Sequence, residues 1–192
     1  MNNINIYLEA NPNPNSLKFV TDKILLDDGI IKDYPDKKSA ADSPLAKSLF
    51  DFEYIDRVFI MSNFITITKN NSYEWQVMKP SVLGGIIDHF NSEDKTVEKK
   101  DSKETESSLK KNEEDSDIVK QIKELLDTRV RPAVAMDGGD IIYNDFEDGV
   151  VYLKMQGACS GCPSSTATLK MGIENMLKHY IPEVQEVRPV DA

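Results

Sequence analysis

The chain has 192 residues and carries 23 Lys plus Arg against 33 Asp plus Glu, a formal net charge of −10. That length allows one medium domain or two small ones, and the negative surface gives a phosphate backbone nothing to bind, so no nucleic-acid partner is expected. No apolar run approaches the roughly 20 residues a membrane helix needs, so no membrane partner is expected either.

The first fifteen residues, "MNNINIYLEANPNPN", lack the basic and apolar regions of a secretory signal, and the first arginine is Arg57. The expected location is cytoplasmic, with a mature mitochondrial matrix form left open. "INIYLEA" and "LKFV" read as short strands divided by "NPNPNS", whose Asn-Pro pairs favour turns. In "SPLAKSLFDF" Ser43 is a helix cap and Pro44 fits the first helical position. "YIDRVFIMSNFITITK" reads as two strands hinged near Ser62 and Asn63. "EWQVMKPSVLGGIIDHF" is helical, with Pro80 and Gly84-Gly85 expected to interrupt or bend it. Trp75, Phe50 and Phe52 are core candidates, and residues 1–90 form a small α+β domain.

Asn91 to Ser116 breaks the pattern. Fifteen of its 26 residues are charged, and Val97 and Leu109 are its only aliphatic side chains. Such a segment buries too little apolar surface to offset its ordering entropy, so residues 91–116 are expected to be a flexible charged linker.

A second small α+β domain follows over residues 117–192. Ile118, Ile122, Leu125, Leu126 and Val130 recur at helical spacing, with Ser116 or Asp117 as cap, and the helix is expected to end before Pro132. "AMDGGD" marks a stop, where Gly138 and Gly139 serve a turn needing positive φ, with a place lining the edge of the cysteine site as the second reading, and Asp137 and Asp140 are turn residues or solvated charges. "IIYNDF" and "VVYLKM" flank "EDG" as a β-hairpin. A helix from about Ser164 to Tyr180 and a strand at "VQEV" close the chain. Met155, Met171 and Met176 are core candidates.

Between hairpin and helix stands "QGACSGCPSS", which holds the only two cysteines, Cys159 and Cys162. Pro163 suits the first turn of the following helix, so both sulfurs lie near a helix N-terminus, where the dipole and unpaired N–H groups favour thiolate. Gly157 and Gly161 let the backbone wrap closely, and Ser160, Ser164 and Ser165 serve the loop and cap or tune the sulfurs. Three chemistries compete. A dithiol–disulfide oxidoreductase of thioredoxin type uses C-x-x-C at a helix start, although this domain lacks the βαβ opening of that fold. Structural zinc wants four ligands, and His179 lies about 24 Å along the helix from the loop, while His89 belongs to the other domain. An iron–sulfur cluster takes four thiolates, which two copies of the chain supply around a twofold axis. A cluster shared at such loops is suited to being given away. No Ser/His/Asp set, phosphate loop or carboxylate pair calls for an enzyme.

Taken together, Arg131-Pro132, Asp137-Gly138-Gly139-Asp140, Gly157-x-Cys159-x-x-Cys162-Pro163 and Gly172-Ile173-Glu174 resemble the Nfu-type iron–sulfur cluster scaffold, the domain at the C-terminus of NifU. "NPNPNSLKF" and "SPLAKSLFDFEYIDRVFIMSNFITITK" with Trp75 resemble the Nfu N-terminal domain. The chain lacks the cysteine-bearing assembly domain and the ferredoxin-like domain of full-length NifU. The resemblance implies a carrier, not an enzyme. It would accept a cluster, often [4Fe–4S], from an upstream donor and pass it to apo iron–sulfur client proteins. Cys159 and Cys162 would be the ligands in both subunits of a homodimer.

Overall fold

The computed structural model describes residues 4–92, 96–97, 116–161 and 163–190. The chain is mixed α and β, with two sheets in two compact units, Met1–Thr105 and Glu106–Ala192. Among the described residues no helix is long and apolar enough to cross a membrane.

The first unit is a five-stranded antiparallel sheet of order β1-β2-β5-β4-β3: β1 Ile6–Ala10, β2 Ser16–Thr21, β3 Ile31–Tyr34, β4 Ile55–Met61 and β5 Phe64–Lys69. The β4–β5 hairpin turns at Ser62, which has positive φ, where the sequence suggests the hinge. Strand β3 has no apolar alternation to announce it. Tertiary ion pairs flank it instead: Lys32 Nζ to Asp42 at 2.8 Å and Arg57 to Asp33 at 2.6 Å.

Helix α1, Pro44–Leu49, opens as the sequence implies, with Ser43 Oγ accepting the Ala46 N–H at 3.1 Å. Helix α2, Trp75–Asn91, is one continuous helix, so Pro80 and Gly84-Gly85 do not interrupt it, the first of the two outcomes expected of them. Its stripe of Trp75, Met78, Val82, Ile86 and His89 is buried, and that packing outweighs the local cost of proline and glycine. The carbonyl that Pro80 leaves without an amide partner belongs to exposed Gln76 and can turn to solvent. Trp75 and Phe50 are buried as expected, and Trp75 Nε1 donates to the Pro14 carbonyl at 3.2 Å.

Two residues at the head of the expected linker pack on this unit. Val97 lies against its core, and the Thr96 carbonyl accepts the Ser43 hydroxyl at 2.6 Å. Positions 93–95 and 98–115, Leu109 included, lie outside the described residues.

The second unit begins with α3, Asp117–Leu125, capped by Ser116 through the Val119 N–H at 3.3 Å. The helix does not end before Pro132. Leu126–Val130 widens into a π turn in which the Arg131 N–H reaches the Leu126 carbonyl, and α4 then runs Arg131–Met136. A proline in the first turn of α4 needs no N–H, so the widened turn carries the chain past Pro132 while Ile122, Leu126, Val130 and Val134 stay buried. The sheet has order β6-β7-β8. The hairpin β6 Gly139–Glu147 and β7 Val150–Gly157 turns at Asp148-Gly149, both with positive φ. Helix α5, Pro163–Tyr180, returns the chain to β8, Glu186–Val190, parallel to β7. Glu174 of α5 secures that return by accepting the Val187 N–H at 3.0 Å.

Candidate iron–sulfur site

The cysteine loop leaves the C-terminal end of β7 and enters the N-terminus of α5, within a strand–helix–strand unit. Such crossovers aim free backbone amides at the strand ends, which suits an anionic ligand. Gly157 (φ 59) bends the chain out of β7, and Gly161 (φ 72) stands in open space just before the second cysteine. Two amides fold the loop on itself: Cys159 N–H to the Gln156 carbonyl at 3.3 Å and Ser160 N–H to Gly157 at 3.1 Å. A third, Ala158 N–H to the Gly138 carbonyl at 3.1 Å, ties it to the turn between α4 and β6.

That tie makes the loop less exposed than a carrier loop suggests. Cys159 is 5% exposed and Ala158 3%, and Cys159 packs into the core of the second unit. Ser160 is half-buried and Gly161 is exposed. Cys162 lies outside the described residues, so the structure positions one of the two sequence-assigned sulfurs. Helix α5 does begin at Pro163, as the sequence implies.

Gly138 and Gly139 prove to have different jobs. Gly138, with φ of 80°, makes the helix-to-strand turn. At Gly139 space is the constraint: a Cβ there would stand 2.5 Å from Cys159 Sγ, 2.8 Å from the Gln156 carbonyl oxygen and 3.0 Å from the Cys159 nitrogen. No real side chain tolerates such distances, so Gly139 is the floor on which the Cys159 sulfur rests. Two glycines stand where the turn needs one, and that surplus is the signal that favours the second reading, a place at the edge of the cysteine site, for Gly139.

Asp140 is neither a turn residue nor a solvated charge. It is 1% exposed, and both its oxygens accept from Arg131, Nε to Oδ1 and NH2 to Oδ2, each at 2.9 Å. Arg131 also donates to Asp127 at 3.0 Å. Burial alone would weaken the guanidinium's hold on its proton; the hydrogen bonds and charges of Asp140 and Asp127 outweigh it and hold the pKa above its ordinary value. The clamp ties α4 to the residue that follows Gly139 and so fixes the floor beneath the sulfur. Across the strand pair from Asp140 sits Gln156, 4% exposed, whose side-chain oxygen is buried with no hydrogen-bond partner among the described residues.

Met155 is buried in the core and Met176 packs against it, but Met171, expected inside, is 61% exposed. Asp137 is exposed, as its turn reading requires.

A family described as "NifU-like domain" matches residues 122–188, and "Scaffold protein Nfu/NifU N terminal" matches residues 6–93. The human mitochondrial NFU1 iron-sulfur cluster scaffold homolog is 48% identical over 186 residues, covering 96% of this chain and 71% of that protein. The chain belongs to the Nfu family of iron–sulfur cluster scaffold proteins. The mitochondrial NifU-like protein 4 of Arabidopsis thaliana is 45% identical, covering 95% of this chain and 64% of its own length. A NifU-like protein from Saccharomyces cerevisiae, solved by NMR, is 24% identical with a TM-score of 0.44, covering 50% of this chain and 87% of its own. The family bears out the resemblance read from the sequence and gives the dithiol oxidoreductase no support. The human and Arabidopsis relatives are both named as mitochondrial, which lends the cytoplasmic expectation no support.

Proposed function

We propose that the chain carries an iron–sulfur cluster, of the [4Fe–4S] type, on Cys159 and Cys162 of two copies, and hands it to apo iron–sulfur client proteins. In this reading the cluster is cargo received from an upstream donor. Residues 117–192 bear it, residues 1–90 contact client or donor, and residues 91–116 tether the two. One observation carries the proposal: Cys159 Sγ rests against the bare backbone of Gly139 at a strand-to-helix loop. A sulfur held there is fixed in place at the base of the loop. Amides at the start of α5 favour the thiolate form. Two thiolates per chain leave a four-coordinate cluster half-ligated, and a second chain completes it. Transfer then follows by stepwise exchange, each incoming client thiolate replacing one carrier thiolate on iron. Two sulfurs from each copy make every ligand replaceable without unfolding either chain.

Anaerobic reconstitution with iron and sulfide, followed by size-exclusion chromatography, tests this reading. Iron and sulfide are expected to co-elute with a dimer, and to be lost in both Cys159→Ser and Cys162→Ser. A metal-free monomer that cycles between dithiol and disulfide would overturn it.

A further inference from the structure

The first unit carries a feature that cluster binding does not use. An open cavity of about 450 Å³ lies where α1 runs into β4, within the range of roughly 300–1,000 Å³ usual for small-ligand sites. Phe50, Phe52 and Ile55 give it an apolar floor, and Asp36, Glu53 and Asp56 stand at its rim. The floor is built firmly. Phe50 and Ile55 are buried, and Phe52 stacks on Tyr54 with ring centroids 5.3 Å apart and planes 13° apart. Tyr54 in turn meets Tyr73 at 5.5 Å. Gly85 of α2 backs the Phe52 ring, where an added Cβ would come to 3.2 Å.

The rim is negative on balance. Among the described residues Lys37 is the one cation lining the cavity, and Asp51 holds its ammonium at 2.6 Å. Asp36 accepts the Ser39 N–H at 2.8 Å, and that bond keeps its carboxyl below the ordinary carboxylate pKa. Glu53 accepts the Tyr73 hydroxyl at 3.2 Å, which steers it from the tyrosine side. Anions are repelled by such a rim, and a neutral polar group gains nothing from an aromatic floor. What fits both is a long apolar stem ending in a flat cation: the stem lies on Phe50 and Phe52, and the cation meets carboxylates in a plane and aromatic rings through their faces. Arginine meets these demands better than lysine because its guanidinium bonds more than one carboxylate at once.

We propose that this cavity docks an arginine side chain from an exposed segment of a partner protein. The site lies entirely within the first unit and is independent of the cluster reading. Charge complementarity commits it to a basic peptide, and the open mouth to a side chain presented from a surface.

The test titrates the isotope-labelled 192-residue chain with the blocked tripeptide acetyl-Leu-Arg-Leu-amide, and with the same peptide carrying citrulline, which has the shape without the charge. Chemical-shift changes are expected at Asp36 and along Phe50 to Asp56, with the citrulline peptide at least about fivefold weaker. The double variant Glu53→Gln/Asp56→Asn alters only exposed side chains, and is expected to weaken the arginine peptide about as much while the rest of the spectrum stays unchanged. Equal binding of the two peptides, shifts confined to another surface, binding indifferent to the double variant, or no shift at all would each overturn the proposal.

Discussion

The two units bury polar groups for different ends. In the first, the buried Ser43 caps α1 and ties down Thr96, and Lys32, Asp42, Arg57 and Asp33 flank an edge strand. Each holds one element against another, and a broad core of leucine, isoleucine and aromatic side chains does the rest. In the second, the smaller unit, Arg131 and Asp140 form a two-bonded fork, and bare backbone at Gly139 packs against a sulfur. Both sit at one end of a three-stranded sheet, around Cys159. A fork and a bare backbone placed together around one thiol hold that thiol still.

Substitutions that add or remove one group sharpen the contrast. The largest effect is expected at Gly139→Ala, where backbone atoms at 2.8 and 3.0 Å cannot yield cheaply. We expect a loss of about 3 kcal/mol in the second unit and failure to load a cluster, with unfolding of the first unit unchanged by calorimetry. Gly172→Ala is the control, since nothing lies within 4 Å of its added methyl, and it is expected to leave loading intact while raising stability by up to about 1 kcal/mol. Equal damage from the two would mean that Gly139 has no special relation to the sulfur.

Asp140→Asn comes next. It keeps the shape but surrenders the charge of the fork to Arg131, at a cost of about 2 kcal/mol. Its loaded cluster should be lost to a chelator faster than in the parent, measured by the decay of visible absorption. A cluster lifetime unchanged at reduced stability would confine the clamp to folding.

Ser43→Ala probes the other unit. Loss of the cap and of the bond to Thr96 is expected to cost about 1.5 kcal/mol in chemical denaturation of the first unit alone. Any weakening of cluster loading by this change would contradict the division of labour.

The smallest effect is a pH dependence. Hydrogen bonds from Lys178 and then from the Val187 amide hold the Glu174 carboxyl below its ordinary value of 4.5. Because the folded-state pKa is depressed, its contribution is complete above that value and is lost as pH falls through the lower one. The second unit of the parent should therefore melt at lower temperature as pH drops below about 4.5, more steeply than in Glu174→Gln. Parallel pH profiles would mean that Glu174 does not tie α5 to β8 in solution.

Local chemistry made much of this architecture legible. Ser43-Pro44, Ser116 and Asp148-Gly149 mark two helix starts and a hairpin through bonds made within three or four residues. The proline expectations failed for the opposite reason: Pro80 and Pro132 are tolerated because buried stripes in α2 and across the π turn outweigh a local penalty. Strand β3 went unseen because its partners, Asp42 and Arg57, come later in the chain. At the site, the spacing of Cys159 and Cys162 revealed the chemistry. Gly139 and Asp140 read as turn residues because their partners, Cys159 and Arg131, lie 20 and nine residues away, at separations no local pattern encodes.

The most direct measurement of the central claim is native mass spectrometry of the anaerobically loaded 192-residue chain. One [4Fe–4S] cluster for every two chains, with no cluster on a single chain and none on Cys162→Ser, is the result this account predicts. A cluster carried whole by one chain, or a metal-free chain two mass units lighter through a Cys159–Cys162 disulfide, would contradict it.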